Sequence, residues 1–327
     1  MKYIKTDWKT PYYNFALEEY LMNKAPEDSY LFFYIHKPSI IVGKYQNTIE
    51  EINKDFVDEN GIVVARRISG GGAVYHDEGN LNFSFVQPAD REDVNNFEKF
   101  TRPIIDALNE LGVEAELSGR NDILVDEKKI SGNAQYYSKG RILSHGTLLF
   151  NSEMSNLGKA LKANDLKIKS KGVKSVKSRV ANIKDYLDKD MSIYELKNHL
   201  LSYMSHTLGI DEYVLTDKEL EDVYKRAEEK FSKWDWNWGE SPKFEISKTD
   251  KFSCGLINVK LNVKKGKIID CKIYGDFFTR RDISELEEFL CNQTYKKTSI
   301  ENALKDINLW DYFYGINIED FAKLITN

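Results

Sequence analysis

Three consecutive glycines, Gly70 to Gly72, are the part of this sequence whose residue types best suit binding chemistry. They follow Arg66 and Arg67 in the segment RRISGGGAVYHDEGNLNFSF, residues 66–85. Glycines between strands allow a tight turn or a close approach of a ligand to the main chain. Consecutive amides can also form a concave N–H site for an anion, with the arginines adding positive charge beside it. A tight hairpin with two surface arginines is the alternative, and composition does not choose between the two.

The glycine run fits neither of two common phosphate-binding motifs. A P-loop needs Gly-Lys-Ser/Thr, which is missing here, and a dinucleotide fingerprint places its glycines before a helix. Residues 81–85 (LNFSF) instead alternate apolar and polar, which predicts a half-buried strand. The glycines are therefore predicted to join this strand to another at 62–69.

Two adjacent lysines form the second candidate for chemistry. Lys128 and Lys129 lie in NDILVDEKKISGNAQ (121–135), which predicts a hairpin that turns near Asp126 and Glu127. Neighbouring residues of a strand point to opposite faces, so only one of the two lysines can enter a site. Because a hairpin lysine is usually solvated, the spacing alone gives neither lysine a role.

Hydrophobic periodicity predicts the elements that must position these residues. Helical spacing of apolar residues indicates helices at 12–24 and 94–111, the second of them stopped by Gly112. Short apolar or alternating runs indicate strands, at 30–35, 39–43, 62–69, 81–85 and 141–150. From about residue 190 the pattern becomes helical and charged. An alternating segment around a Lys-Lys-Gly turn then precedes two further helices.

The chain length predicts two domains. At 327 residues the chain is longer than a typical single domain, so we expect a large domain and a smaller one. The change of pattern places the large domain at 1–244 and a small α+β domain at 245–327.

Charge and cysteine content limit the class of protein. Lys and Arg total 47 against 52 Asp and Glu, and the net charge of −5 argues against a general nucleic-acid or membrane binder. Cys254, Cys271 and Cys291 are late and widely spaced, which gives neither a zinc spacing nor a disulfide framework. The N-terminus has no apolar signal segment, and no apolar run is long enough to span a membrane. We therefore expect a cytoplasmic protein.

Segment 66–85 resembles the signature of lipoate-protein ligases, which share a fold superfamily with biotin-protein ligases and octanoyl transferases. The tail containing WDWNWGESPKFEI resembles the accessory C-terminal domain of the single-chain ligases. The resemblance implies an α+β fold with a large mixed-sheet domain of the biotin/lipoate ligase type, packed with helices, plus a small α+β C-terminal domain. Further stretches agree with the family in order and spacing, namely IIVGKYQN (40–47), GRNDI (119–123), KKISGNAQ (128–135), SHGTLLF (144–150) and GVKSVKSRVANI (172–183).

The resemblance also implies a two-step reaction. The lipoate carboxylate would attack the α-phosphorus of ATP to give lipoyl-AMP and pyrophosphate, and a lysine of an acceptor protein would then displace AMP. ATP, Mg²⁺ and the substrate lipoate are the implied small molecules. The implied partners are lipoyl domains of 2-oxoacid dehydrogenase E2 subunits and the glycine cleavage H protein, with neither nucleic acid nor membrane.

The family's site residues carry over to the matching positions of this sequence. Lys129, the lysine of the KxSG motif, is the implied catalytic cation, with Lys128 as the competing neighbour. The implied nucleotide contacts are Arg67, Gly72, Ala73, Val74, Tyr75, Asn80, Asp122 and Lys129. The implied lipoate contacts are Lys129, Gly71, Gln46 and Asn47, and Asp122 is the implied Mg²⁺ ligand.

Other residues receive weaker expectations from the resemblance. Gly70 and Gly71 would let the main chain lie against the acyl-adenylate. Gly43, Gln46 and Asn47 would border the lipoyl tunnel, whose walls should be apolar. His76 and His145 are interpreted as structural, since the reaction does not require a histidine base. The basic segment 167–179 is either a solvated loop or a lid over the adenylate, and Gly239 and Pro242 are compatible with a hinge.

Two other functions remain open at this point. An octanoyl or lipoyl transferase with a thioester intermediate needs a nucleophilic cysteine in the catalytic domain, and residues 1–250 contain none. A non-catalytic lipoyl-binding protein has no need to keep Lys129 and Arg67. Biotin ligation is also known on this fold, but biotin ligases carry a different glycine-loop signature.

Overall fold

The computed structural model describes residues 1–24, 27–119, 121–161, 180–238 and 244–326. The predicted lid at 167–179 and the predicted hinge residues Gly239 and Pro242 lie outside the described residues. Within the described ranges, no helix is both long and apolar enough to cross a membrane.

The secondary structure of the described residues alternates between strands and short helices. The strands are β1 (Lys2–Tyr3), β2 (Tyr30–Ile35), β3 (Ser39–Val42), β4 (Val63–Arg66), β5 (Val74–His76), β6 (Asn80–Pro88), β7 (Glu116–Ser118), β8 (Asp122–Val125), β9 (Lys128–Ser138), β10 (Arg141–Leu149), β11 (Asp211–Glu212), β12 (Ile246–Phe252), β13 (Gly255–Lys264) and β14 (Lys267–Gly275). The helices are α1 (Pro11–Met22), α2 (Thr48–Glu51), α3 (Lys54–Glu59), α4 (Phe97–Glu110), α5 (Met154–Ala160), α6 (Ile193–Leu208), α7 (Asp217–Arg226), α8 (Trp234–Asn237), α9 (Ile283–Leu290), α10 (Lys297–Leu304) and α11 (Ile318–Thr326).

In the part of the chain that the structure describes, the strands form three sheets. The largest is mixed and has the order β11-β1-β2-β6-β10-β9-β8-β7, with β1 parallel to both of its neighbours and the other pairs antiparallel. A small sheet has the order β4-β3-β5, and the C-terminal sheet has the order β12-β13-β14. The predicted α+β architecture is confirmed.

The large sheet is covered on both faces. Alternate residues of β2, such as Leu31 and Phe33, pack in the cluster that contains α4 and α6. The residues between them, such as Phe32 and Tyr34, pack against α1. This double burial explains the uninterrupted apolar run YLFFYI, because a strand covered on both sides does not alternate in polarity.

The C-terminal sheet has a hydrophobic core shared with α9, α10 and α11, and Tyr45 from the large domain joins it. The sequence predicted two helices after the alternating segment, whereas the structure has three. Helices of eight or nine residues give barely two turns of periodic signal, which explains the error. The domain boundary at 244/245 stays a prediction.

The glycines connect two strands of the small sheet, not the two strands that the sequence suggested. The connection from β4 to β5, here called the glycine loop (residues 67–73), links strands that lie on opposite sides of β3. The hairpin alternative is therefore wrong, and the strand predicted at 81–85 is β6 of the large sheet.

Candidate active site

A cavity of about 370 Å³ lies between the glycine loop and strands β8, β9 and β10. Part of its wall comes from Asp276 and Phe278, which follow β14 in the C-terminal unit. The predicted site residues that line it are Arg67, Gly71, Gly72, Ala73, Val74, Asp122 and Lys129. The structure therefore brings the glycine loop and the KxSG lysine together at one site.

Lys129 projects into this cavity and pairs with Asp122. Its Nζ lies 2.8 Å from Asp122 Oδ1, and the two side chains are 36% and 34% exposed. The side chain passes over Gly132, where an added Cβ would lie 2.8 Å from Nζ. The register between β8 and β9 shifts here, because Ile123 pairs with Ser131 but Leu124 pairs with Lys129. Such a bulge re-aims side chains near a site.

The structure separates the two adjacent lysines as the strand argument predicts. Lys128 is exposed and does not line the cavity, whereas Lys129 is half-buried and does. The turn before them is as predicted, with positive φ at both Asp126 (48°) and Glu127 (62°). Catalysis by Lys129 stays a prediction.

The close approach to the glycine loop in this structure is made by other protein backbone. The amide of Gly71 donates to the carbonyl of Phe277 at 3.1 Å. A Cβ on Gly70 would lie 2.3 Å from that same oxygen, and a Cβ on Gly43 would lie 2.0 Å from the carbonyl oxygen of Gly71. Gly71 has φ of +90°, a region that favours glycine. Approach of an adenylate to Gly70 and Gly71 stays a prediction.

Arg67 is buried and its guanidinium bonds to the glycine loop itself. Nη2 donates to the carbonyls of Gly70 (2.6 Å) and Gly72 (2.9 Å), and Nε donates to Ser69 Oγ (3.0 Å). Burial lowers the pKa of Arg67 to about 10, so the group remains charged at neutral pH. Arg67 thus fixes the shape of the loop, and its predicted contact with phosphate stays a prediction.

Arg66 points the other way, away from the cavity. Its Nη1 donates to the carbonyls of Gly43 (2.9 Å), Lys44 (3.0 Å) and Gln46 (2.7 Å). Its Nε donates to the carbonyl of Trp236 and its Nη2 to the hydroxyl of Thr48. This arginine holds the turn after β3 and does not add charge to the cavity.

Four predicted site residues do not line the cavity. Gln46 accepts a hydrogen bond from the Gly43 amide at 2.9 Å within the turn that Arg66 holds, and Asn47 precedes α2. Tyr75 packs in the cluster of the small sheet. Asn80 donates to Asn82 Oδ1 at 2.8 Å, and it is Asn82 that reaches the cavity wall. The predicted ligand contacts of these four residues stay predictions.

A buried polar network lies behind the cavity, and sequence reasoning missed most of it. Glu18 Oε1 accepts from His145 Nδ1 (2.8 Å), Ser84 Oγ (2.6 Å) and the Tyr34 hydroxyl (3.2 Å). His145 Nε2 is 2.6 Å from Ser69 Oγ, which ties this network to the glycine loop. The sequence could have indicated this network through Glu18, which lies one helical turn after Asn14 on the buried face of α1. A charged residue on a buried face needs polar partners.

The carboxylates of the site do not form a ready-made metal centre. Among the described residues, no group of three or more His, Cys, Asp or Glu side chains could hold a metal ion. Asp122 lies on the cavity wall beside Lys129, and the other carboxylate residues of the lining are Glu51 and Asp276. One carboxylate suits Mg²⁺ that arrives on phosphates, because Mg²⁺ is commonly held by one or two carboxylates together with substrate oxygens.

The comparisons with known proteins agree along the whole chain. The family described as "Lipoyl protein ligase A/B catalytic domain" matches residues 10–205, and "Bacterial lipoate protein ligase C-terminus" matches residues 241–325. Lipoate-protein ligase LplJ of Bacillus subtilis is 53% identical over 319 residues, which cover 96% of each chain.

Three solved structures are also similar. P. falciparum LipL1, in complex with lipoate, gives a TM-score of 0.81 at 27% identity and covers 94% of each chain. A bipartite ligase of Thermoplasma acidophilum, studied with its E2 lipoyl domain, gives 0.67 at 34% identity over 75% of this chain and 98% of that one. Lipoate-protein ligase A bound with ATP gives 0.64 at 32% identity over 73% of this chain and 98% of that one.

The catalytic-domain match first defines the class, which is that of the lipoyl protein ligases. The C-terminal match and the full-length relative then narrow it. The chain belongs to the lipoate-protein ligase family, which is a family of adenylate-forming enzymes.

Proposed function

We propose that this protein activates lipoate with ATP to lipoyl-AMP and then transfers the lipoyl group to a lysine of a lipoyl domain. The observation that carries the proposal is the position of Lys129, which projects into the cavity opposite the glycine loop and beside Asp122. The proposed reaction joins two anions, and this arrangement places the ammonium group of Lys129 and the residues of the glycine loop around one cavity.

The first step brings the lipoate carboxylate to the α-phosphate, so it needs a positive group between them. A unit charge pair at 4 Å is worth about 4 kcal/mol at an effective dielectric constant near 20. Lys129 supplies that charge as an ammonium with rotatable donors, which can reach both the phosphate and the carboxylate oxygen. Gly72, Ala73 and Val74 line the same cavity, and in the proposal their backbone groups bind the phosphate oxygens and the base.

Asp122 must release Lys129 when the substrates bind. The ion pair between them is half-exposed, so breaking it costs little compared with the charge that ATP brings. We assign Asp122 as the carboxylate that would hold Mg²⁺, whose charge would neutralise phosphate oxygens when it is bound. Arg67 remains hydrogen-bonded to the carbonyls of Gly70 and Gly72, and it thereby maintains the shape of the glycine loop.

The second step requires a protein lysine as nucleophile, and we infer that lipoyl domains supply it. The archaeal relative studied with its E2 lipoyl domain supports this acceptor class. The glycine cleavage H protein is a second acceptor in the proposal. The neutral amine of that lysine attacks the lipoyl carbonyl, the bond from the carbonyl carbon to the phosphate oxygen breaks and AMP leaves. The proton that the amine nitrogen loses passes to the departing phosphate or to solvent.

The transferase alternative is disfavoured by the position and state of the cysteines. All three lie in the C-terminal unit, and Cys254 and Cys271 are buried. Burial raises the pKa of Cys271 and also that of Cys291, which disfavours the thiolate that a thioester route needs. An acyl-enzyme on these residues would also lie outside the cavity lining.

Pyrophosphate release is the direct test of the proposed function. Purified protein with ATP and lipoate should release pyrophosphate, and addition of an apo E2 lipoyl domain should give a lipoylated lysine by mass spectrometry. Biotin in place of lipoate is the control and should give neither product. Lipoyl transfer from a lipoylated carrier protein without ATP would instead support the transferase.

The glycine loop gives a second prediction. We expect Gly71→Val to weaken binding of both ATP and lipoate by about tenfold or more, because a Cβ there meets Arg67 Nη2 at 2.9 Å and forces the loop to shift. Calorimetric titration of the folded variant measures both affinities. Gly61→Val is the matched control, since Gly61 also has positive φ (+60°) but an added Cβ meets nothing within 4 Å. Equal affinities in the two variants would return the loop to a purely structural role.

A further inference from the structure

One nitrogen of His76, a residue of the cavity lining, is buried without a hydrogen-bond partner among the described residues. His76 is the last residue of β5, lines the cavity and is only 3% exposed. Among the described residues, its Nε2 has no hydrogen-bond partner. A buried polar atom without a partner destabilises the folded protein, unless a bound ligand supplies the missing hydrogen bond. Such an atom therefore indicates a ligand-binding position.

The hydrogen bonds behind His76 determine which of its nitrogens carries the hydrogen. Asn14 Nδ2 lies 3.0 Å from the carbonyl oxygen of Trp8, which can only accept, so this atom is the amide nitrogen and donates. The same nitrogen is 3.1 Å from His36 Nε2, which therefore accepts. His36 must then carry its hydrogen on Nδ1, which is 3.0 Å from His76 Nδ1. His76 accepts at Nδ1, so its own hydrogen is on Nε2, the buried atom that has no partner among the described residues.

Both histidines remain neutral at physiological pH, as this chain of donors requires. Burial lowers the pKa of His36 to about 3. Burial also lowers the pKa of His76 well below its usual value, and the neighbouring His36 and Arg67 add to the effect. A neutral imidazole has one donor and one acceptor, so the direction of the relay from Asn14 to His76 is fixed.

His76 belongs to the buried part of the cavity lining. The lining also includes Phe15, Tyr34 and Ile41, whose exposed fractions are 1%, 4% and 1%. Lys129, where the carboxylate and phosphates would meet, is half-exposed. An acyl chain with its carboxylate at Lys129 would therefore extend its tail toward the buried residues of the lining.

We propose that His76 Nε2–H donates a hydrogen bond to a dithiolane sulfur of lipoate, and that this donor makes the enzyme prefer lipoate to octanoate. The inference rests on the proposed function. A divalent sulfur accepts a hydrogen bond weakly, whereas the alkyl tail of octanoate accepts none. Octanoate therefore covers a buried N–H without giving it a partner, and we expect about a tenfold lower kcat/KM for octanoate in pyrophosphate release.

Two variants of His76 separate the donor from its surroundings. In His76→Leu the donor is lost, so the preference for lipoate should fall to about twofold or less. His76→Gln places an amide N–H near the position of Nε2 and should retain most of the preference. Equal preference in wild type and His76→Leu would overturn the proposal. Absence of pyrophosphate release with either acid in wild type would instead refute the proposed function itself.

A spectroscopic readout tests the relay without relying on turnover. In ¹⁵N-labelled protein, the Nε2–H of His76 should give a directly bonded ¹H–¹⁵N correlation that shifts with lipoate and shifts less with octanoate. Asn14→Asp should reverse the relay, because a carboxylate only accepts and would draw the His36 hydrogen to Nε2. His76 would then expose a lone pair at Nε2, and the preference for lipoate should be lost. A protonated Nε2 with unchanged preference in this variant would contradict the relay.

Discussion

Replacing Lys129 with alanine is expected to lower the rate of lipoyl-adenylate formation by about 10²-fold or more, as removal of one preorganised electrostatic group typically does. The folded state should persist, because the side chain is 36% exposed and its one ion pair is with the equally exposed Asp122. Pyrophosphate release with saturating ATP and lipoate measures the effect. The thermal midpoint of the variant should remain within a few degrees of wild type.

The neighbouring lysine is the matched control for this prediction. Lys128 is on the same strand, has the same charge and is exposed outside the cavity. Lys128→Ala should keep near-normal turnover. A dead Lys128→Ala with an active Lys129→Ala would mean that the catalytic cation has been assigned to the wrong residue.

Replacing Arg66 with methionine is expected to lower the free energy of unfolding by about 4 kcal/mol, one of the largest single-residue effects on this fold. Arg66 is 1% exposed, and it donates to four carbonyls and one hydroxyl from the turn after β3, from α2 and from α8. Methionine keeps a similar length of chain but has no donor, so five hydrogen bonds of this buried side chain are lost together. Urea unfolding followed by circular dichroism measures the difference.

An exposed arginine sets the scale for that measurement. Arg102 pairs with Glu98 one turn away on α4, and both side chains are more than half exposed. Arg102→Met should change the free energy of unfolding by about 0.5 kcal/mol or less. If Arg66→Met has an effect as small as this control, the hydrogen bonds of Arg66 do not hold the turn.

Much of the fold could be predicted because the apolar residues that pack on the two faces of the large sheet recur at regular spacing along the sequence. The strand predicted at 30–35 has those same limits, and the helix predicted at 94–111 spans Phe97–Glu110. The route of the glycine loop could not be predicted in this way. A crossover around β3 is decided by contacts with strands distant in sequence, whereas local periodicity reports only that strands exist.

The roles of the two arginines show where sequence reasoning about the site ends. Alternation along β4 predicts that Arg66 and Arg67 point to opposite sides, but it does not say which side is the cavity. The direction of the Arg66 side chain depends on its hydrogen-bond acceptors, and one of them, the carbonyl of Trp236, is 170 residues away in the chain. The relay that orients His76 depends likewise on Asn14 and His36, which no motif of the family segment contains.

The hydrogen bond between Gly71 and Phe277 has a consequence for how ligands and the C-terminal unit affect each other. The Gly71 amide has a single hydrogen, and the carbonyl of Phe277 now accepts it at 3.1 Å. A substrate oxygen that takes this hydrogen must displace Phe277, so the two acceptors exclude each other. Binding free energies are reciprocal, so a tighter hold by the C-terminal unit must weaken the substrate by the same factor. For any substrate oxygen that takes this hydrogen, the segment after β14 that contains Phe277 is a tethered competitive ligand of the glycine loop.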